Sequence, residues 1–237
     1  MGVLGAGLGG AFGWLLQPWA SVAMAVVAGL NGALSGWRQV YAWRTRSGLL
    51  ALVADSTWAT LPVAAGLLAH GYALVTRSAG FDDSLSRREN RHVYRGGACL
   101  QRGFALTLGN VISSAGDVSR ARRRKLITDH EAVHVWQARA FGPLYLVLYV
   151  VWSVGGALSG SLLWLVRRRR EPLGKVIESC SYYLNPFEWW AYSRDDLWPP
   201  PGLLPGIGWR KPAARPLVAV RAAREARREQ DLGGAAD

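Results

Sequence analysis

The sequence predicts a mainly α, membrane-associated chain with two to three apolar membrane helices, a short β-hairpin and one helix bearing a pair of histidines. Three observations carry this reading. Residues 143–166 run for 24 positions without a charge, and about 20 apolar residues suffice to cross the hydrocarbon core of a bilayer. Half of the 237 residues are hydrophobic, and the 28 Lys and Arg, against 16 Asp and Glu, cluster beside the apolar stretches, as suits a surface of anionic headgroups. The stretch His130-Glu131-Ala132-Val133-His134 places two imidazoles one helical turn apart with a carboxylate beside them.

Length and composition bound the organisation. A chain of 237 residues makes one domain with a real core, or a small membrane protein with one extramembrane module. The shifts in composition suggest an apolar membrane region over 1–77, a metal-site region over 78–198 that includes the apolar helix 143–166, and a Pro- and Arg-rich mobile tail over 199–237. Nucleic acid is the rival partner for a net charge of +12, but no zinc-finger spacing, RNA-binding aromatic motif or homeodomain-like helix supports it, so no nucleic acid is expected. Two cysteines, Cys99 and Cys180, exclude a disulfide framework and leave at most one bridge.

Taken in order, the first 36 residues are rich in Gly and Ala, and an apolar run from Trp19 to Leu34 is broken only by Ser21 and Asn31. Without Lys or Arg in Met1 to Gln17, an uncleaved anchor fits better than a cleaved signal. Arg38, Arg44 and Arg46 alternate with Trp37, Tyr41 and Trp43, a mixture suited to the headgroup level. From Leu49 to Val75 the chain is apolar again, with Asp55 inside the run and Pro62 interrupting it. Thr60 is expected to cap a helix whose first turn holds Pro62, Asp55 to be a helix cap or turn residue, and His70 a packed or interfacial histidine.

Residues 91–98 and 104–112 read as two short strands around a glycine-containing turn, and Arg120 to Lys125 as a solvated or headgroup-facing cluster. The uncharged stretch 143–166 ends in Arg167 to Arg170, which argues that this end faces the cytoplasm. Gly155, Gly156 and Gly160 permit close helix packing. Because 38–46 and 77–125 are both basic although a span separates them, at least one apolar segment is expected to be re-entrant or interfacial. A short helix over 173–183 and a helix starting at Asn185-Pro186 follow, the latter with Asn185 as cap and Pro186 in the first turn. The Arg- and Ala-rich stretch 218–230 reads as a mobile or surface-bound helix.

The histidine pair carries the chemistry. A catalytic zinc needs neutral imidazoles, a third protein ligand and one position left open. His130 and His134 supply the first two from one helical face, and Glu131 is placed to take a proton from attacking water and pass it to the leaving amine. A capping box from Thr128 to Glu131 would explain Glu131 but neither histidine. With four His and seven Glu in the whole chain, coincidence is a poor explanation of the pattern. The third ligand must come from elsewhere. The metzincin pattern fails, since position 137 is Gln and position 140 is Ala. Glu188, one turn inside the Asn185-Pro186 helix, is the first choice; Glu178 and Asp195 compete, and Asp195 and Asp196 could also orient a ligating histidine. Gln137 shares the motif face and could orient a ligand or substrate. Tyr182, Tyr183, Tyr192 and His92 are candidates for stabilising a developing oxyanion.

His130-Glu131-x-x-His134-x-x-Gln137, Gly142-Pro143-Leu144-Tyr145 and Asn185-Pro186-Phe187-Glu188-x-x-Ala191, with Thr107-Leu108-Gly109-Asn110 upstream, resemble a group of bacterial membrane-associated zincin-like proteins over roughly 104–192. The pattern is similar to the gluzincin class, and that resemblance implies Zn2+ held by His130, His134 and Glu188 with Glu131 as base. A looser similarity to the HtpX and prenyl-protein peptidases stops at position 192, where Tyr192 stands in place of their Asp. The resemblance implies a zinc metallopeptidase acting on a peptide or protein substrate, seated in a bacterial inner (cytoplasmic) membrane. The alternative expectation is a non-catalytic membrane scaffold that retains a zincin-like metal site.

Overall fold

Small residues at four-residue spacing build the start of the chain. In the computed structural model, which describes residues 1–76, 79–101, 103–168 and 170–233, α1 (Gly2–Leu16) and α2 (Pro18–Trp37) are joined only by Gln17. Gly5, Gly9 and Gly13 are the buried residues of α1. A Cβ on Gly9 would lie 2.6 Å from the Met24 carbonyl oxygen, and one on Gly13 2.8 Å from Ser21 Cα. The two backbones therefore meet directly, the packing that apolar helices use where lipid removes any hydrophobic drive. The reading of an apolar run from Trp19 captured α2 and left α1 unassigned.

The described residues divide into two units, Met1–Leu148 and Tyr149–Asp237. The expected boundary at 77/78 and Arg169 of the arginine run lie outside the described residues. By length and composition, α2 and α7 (Pro143–Val166) can cross a membrane, and α3 (Arg46–Ser56) with α4 (Thr60–Val75) forms a third apolar stretch bent by 89°, as a broken span or re-entrant segment would be.

In the first unit, the Thr45 hydroxyl caps α3 by accepting from the Gly48 amide at 3.1 Å. Thr60 is not the cap expected of it: it lies inside α4, its hydroxyl donating to the Thr57 carbonyl. Asp55 is also no cap. It is buried near the end of α3 and forms a two-pronged ion pair with Arg139, at 2.9 Å to Nε and 2.8 Å to Nη2. The Tyr41 hydroxyl donates to the same carboxylate at 2.8 Å, Asn31 Nδ2 donates to Tyr41, and Asn110 Nδ2 donates to Asn31 Oδ1 at 2.9 Å. A charge inside an apolar run survives only if it is paired and hydrogen-bonded, and this network does both.

The sheet has the order β1-β3-β2, with β1 (His92–Val93) parallel to β3 (Val111–Ser113) and β2 (Leu106–Leu108) antiparallel to it. The hairpin is thus contained within 106–113, not formed between 91–98 and 104–112 as the sequence suggested. Its turn is Gly109-Asn110, with Gly109 at φ +55° and so close to the Pro62 carbonyl of α4 that no side chain fits. Val93 and Ile112 pack with Ile127 and Val135, joining the sheet to the histidine helix.

That helix is continuous: α5 (Ala121–Lys125), a π-helical segment Leu126–Glu131 and α6 (Ala132–Phe141). Gly142, at φ +53° and facing the Trp58 indole, ends it, and α7 starts at Pro143.

In the second unit the chain doubles back along α7. A Cβ on Gly160 would meet the Val176 carbonyl of α8 (Leu173–Glu178) at 3.2 Å, and one on Gly156 would lie 2.5 Å from the Cys180 carbonyl, in the π-helical segment Ser179–Tyr183. Farther back, Tyr149 stacks on Phe187 of α9 (Pro186–Arg194), with centroids 6.2 Å apart. The stretch after Trp198, expected as the start of a mobile tail, crosses α9: Trp209 stacks on Trp189 at 4.2 Å, and the Ala213 amide donates to Ser193 Oγ at 2.8 Å. A last helix, α10 (Leu217–Gly233), follows.

Candidate metal centre

The motif helix passes from π to α geometry between its two histidines, since His130 lies in the π-helical segment and His134 in α6. Such segments recur at functional sites because they re-aim a side chain without ending the helix. Both imidazoles are buried, and their Nε2 atoms face one another at 3.2 Å. Two imidazole nitrogens bonded at about 2.0–2.1 Å to a tetrahedral zinc would stand about 3.3–3.4 Å apart, so the observed spacing fits one ion between them.

The tautomer fits as well. Nδ1 of His134 lies 2.8 Å from Gln137 Oε1, an oxygen that can only accept, so Nδ1 carries the proton and Nε2 presents its lone pair. The Tyr145 hydroxyl lies 3.3 Å from the same Nδ1. Gln137 thus does what the sequence allowed it to do, orienting a histidine through the ring nitrogen turned away from the site.

Among the described residues, His130, His134 and Glu188 form the group that could hold a metal ion, with one candidate ligand atom from each all within 4.8 Å of one another. All three are buried, where an ionised carboxylate is stable only beside a cation or hydrogen-bond donors. The competing carboxylates are not in this group: Glu178 instead pairs with Lys175 at 2.9 Å, and Asp195 is the C-cap residue of α9.

Glu188 is placed by its own segment. Asn185 Oδ1 accepts from the Phe187 amide at 3.0 Å, Pro186 occupies the first turn, and Glu188 follows within that turn, as the sequence suggested. The Tyr149 hydroxyl donates to Glu188 Oε1 at 2.8 Å.

Glu131 takes no part in a capping box, because Thr128 lies inside the π-helical segment and not at its start. Its Oε2 instead accepts from the Thr107 hydroxyl of β2 at 2.6 Å. Thr107 and Tyr149 escaped the residue-level reading, since a threonine on a strand and a tyrosine in an apolar run carry no local signal of a partner.

The oxyanion candidates separate by location. His92 is buried with its Nε2 2.9 Å from Ser35 Oγ and its ring against His70; burial above all, then His70, Arg38 and Arg139, push its pKa well below the usual histidine value. Its contacts serve the core of the first unit. Tyr182 and Tyr192 bring their hydroxyls to 3.4 Å. Burial, and next the Glu188 carboxylate, push the Tyr182 phenol well above its usual range, which keeps it protonated as a donor. Comparison with known proteins adds no relative, since no family model, curated protein or solved structure matches the chain.

Proposed function

We propose that this chain is a membrane-associated zinc metallopeptidase that uses His130, His134 and Glu188 as ligands and Glu131 as general base. The observation that carries the reading is the convergence of two imidazole nitrogens and one carboxylate oxygen within 4.8 Å, beside a glutamate oriented by Thr107 at 2.6 Å. A buried set of two nitrogens and one oxygen suits zinc. Zinc held there would polarise the scissile carbonyl and acidify water in the site.

The protein's own groups would do the rest. Thr107 occupies one oxygen of Glu131, so proton exchange falls to the other: it takes the proton of the attacking water and returns it to the leaving nitrogen. Gln137 holds His134 in the ligating tautomer. Tyr182, whose phenol is kept protonated by burial and then by the Glu188 carboxylate, is our choice of donor to the developing oxyanion. β2 is an edge strand of the sheet and carries Thr107, which makes it the natural rail for an extended peptide to pair with.

The test is elemental analysis of the detergent-purified full chain together with a peptide-hydrolysis assay. Wild type is expected to hold about one zinc, lost in His134→Ala and Glu188→Ala. Glu131→Gln is expected to keep the metal and lose hydrolysis. Full metal content in His134→Ala would refute the site, and undiminished hydrolysis in Glu131→Gln would refute the assigned base.

A further inference from the structure

The first two turns of α7 carry tyrosines at positions 145 and 149, four residues apart and therefore on one helix face. Each meets a side chain assigned above as a ligand: Tyr145 reaches His134 Nδ1 at 3.3 Å, and Tyr149 donates to Glu188 Oε1 at 2.8 Å. The two contacts are not equivalent. His134 Nδ1 already has Gln137 at 2.8 Å, so Tyr145 is a secondary neighbour there. Tyr149 gives Glu188 a direct hydroxyl donor, and its ring is fixed by stacking on Phe187, the residue before Glu188, at an interplanar angle of 16°.

A phenol in an otherwise apolar helix needs a partner, and a carboxylate that binds a metal needs a donor on one oxygen to set which way the other points. Tyr149 answers both needs at once. A neutral donor also avoids adding a cation that would compete with the metal for the carboxylate.

Resting on the metal reading above, we infer that Tyr149 is a positioning residue for the third ligand, so that a membrane-spanning helix forms part of the outer shell of the metal centre. The hydroxyl orients Glu188 and the ring, braced on Phe187, fixes the hydroxyl. Loss of an outer-shell partner typically weakens metal binding by about 10–100-fold.

The experiment compares full-length wild type, Tyr149→Phe, Phe187→Leu and Glu188→Ala in detergent. Zinc affinity is measured by competition with a chromophoric chelator, and the thermal midpoint of each metal-free protein is recorded alongside. Tyr149→Phe keeps the ring and its stacking, so its metal-free midpoint is expected to match wild type while zinc binds about 10–100-fold more weakly. Phe187→Leu keeps the hydroxyl but loosens it, with a smaller loss of affinity. Affinity within twofold of wild type in Tyr149→Phe, while Glu188→Ala abolishes binding, would overturn the inference and leave the metal site standing. Absence of zinc binding by wild type would instead overturn the metal site, and this inference with it. A fall in the metal-free midpoint of Tyr149→Phe large enough to account for its lost affinity would assign the tyrosine to packing and overturn the inference.

Discussion

Arg139→Met tests whether the polar network under the motif helix holds the first unit together. Arg139 and Asp55 side chains are 3% and 1% exposed, and three of the arginine's contacts would vanish together: two to Asp55 at 2.9 and 2.8 Å and one to the Asn90 carbonyl at 2.5 Å. Methionine fills much of the space but leaves a buried carboxylate facing Tyr41 and Asn110. Removing one partner of a buried pair costs about 3–5 kcal/mol, and at about 2–4 °C per kcal/mol for a chain of this size the midpoint should fall by roughly 6–20 °C. Asp55→Asn combined with Arg139→Met removes both charges and retains an oxygen for the Tyr41 hydroxyl, so it should regain most of that loss. The assay is thermal unfolding of the full chain in detergent for wild type, both single variants and the double. A single-variant loss under about 1 kcal/mol, or a double variant equal to the sum of the singles, would show that the pair is not coupled and refute the reasoning.

Other outcomes follow from the same contacts. Gln137→Leu removes the acceptor for His134 Nδ1 and should weaken zinc binding about 10–100-fold, read by chelator competition; unchanged affinity would sink that role. Gly156→Ala places a Cβ 2.5 Å from the Cys180 carbonyl and should cost about 1–3 kcal/mol, whereas Gly155→Ala, with nothing within 4 Å, should be neutral or slightly stabilising because alanine favours helix; a reversed order would contradict the close packing of the Ser179–Tyr183 segment on α7. Thr107→Val should slow peptide hydrolysis without reducing zinc content, and Thr107→Ser should restore it, because the hydroxyl is what Glu131 accepts. His92 is held neutral, because burial pushes its folded pKa well below the ordinary histidine value of about 6.5. As pH falls below that value the unfolded chain takes up the proton and the folded chain does not, so stability is lost toward acid by up to about 1.4 kcal/mol per pH unit. His92→Gln, measured in chelator between pH 5 and 7, should flatten that slope relative to wild type, and an unchanged slope would count against it.

What the sequence discloses divides along physical lines. Uncharged length is a one-dimensional property, and so 143–166 was legible to the residue, as were the Asn185-Pro186 cap and the placement of Glu188 one turn inside. Helical spacing likewise placed His130 and His134 on one face. Contacts between distant segments are not one-dimensional. Asp55 read locally as a cap because nothing in its neighbourhood mentions Arg139, 84 positions away. Thr107 met Glu131 only once the hairpin at Gly109-Asn110 had brought β2 beside the motif helix. The hairpin itself was misplaced because the alternating run from Arg91 suggested a longer strand than the two residues that pair. The α1 helix was overlooked although Gly5, Gly9 and Gly13 repeat every fourth residue, a period that marks a face for backbone contact as plainly as leucines mark a core.

The doubling back of the chain along α7 has a consequence for the order in which the protein is made. On the proposed ligand set the histidine pair is synthesised before α7 and Glu188 after it, with the whole apolar helix and its return leg in between. A nascent chain that has emitted His134 therefore offers at most two ligands. The third arrives only once α7 has been laid down and Gly160 and Gly156 have received α8 and the segment after it. If α7 crosses a membrane, as its length and composition allow, retained metal would certify a completed passage through the lipid, and a chain whose apolar helix failed to seat would remain both metal-free and inert.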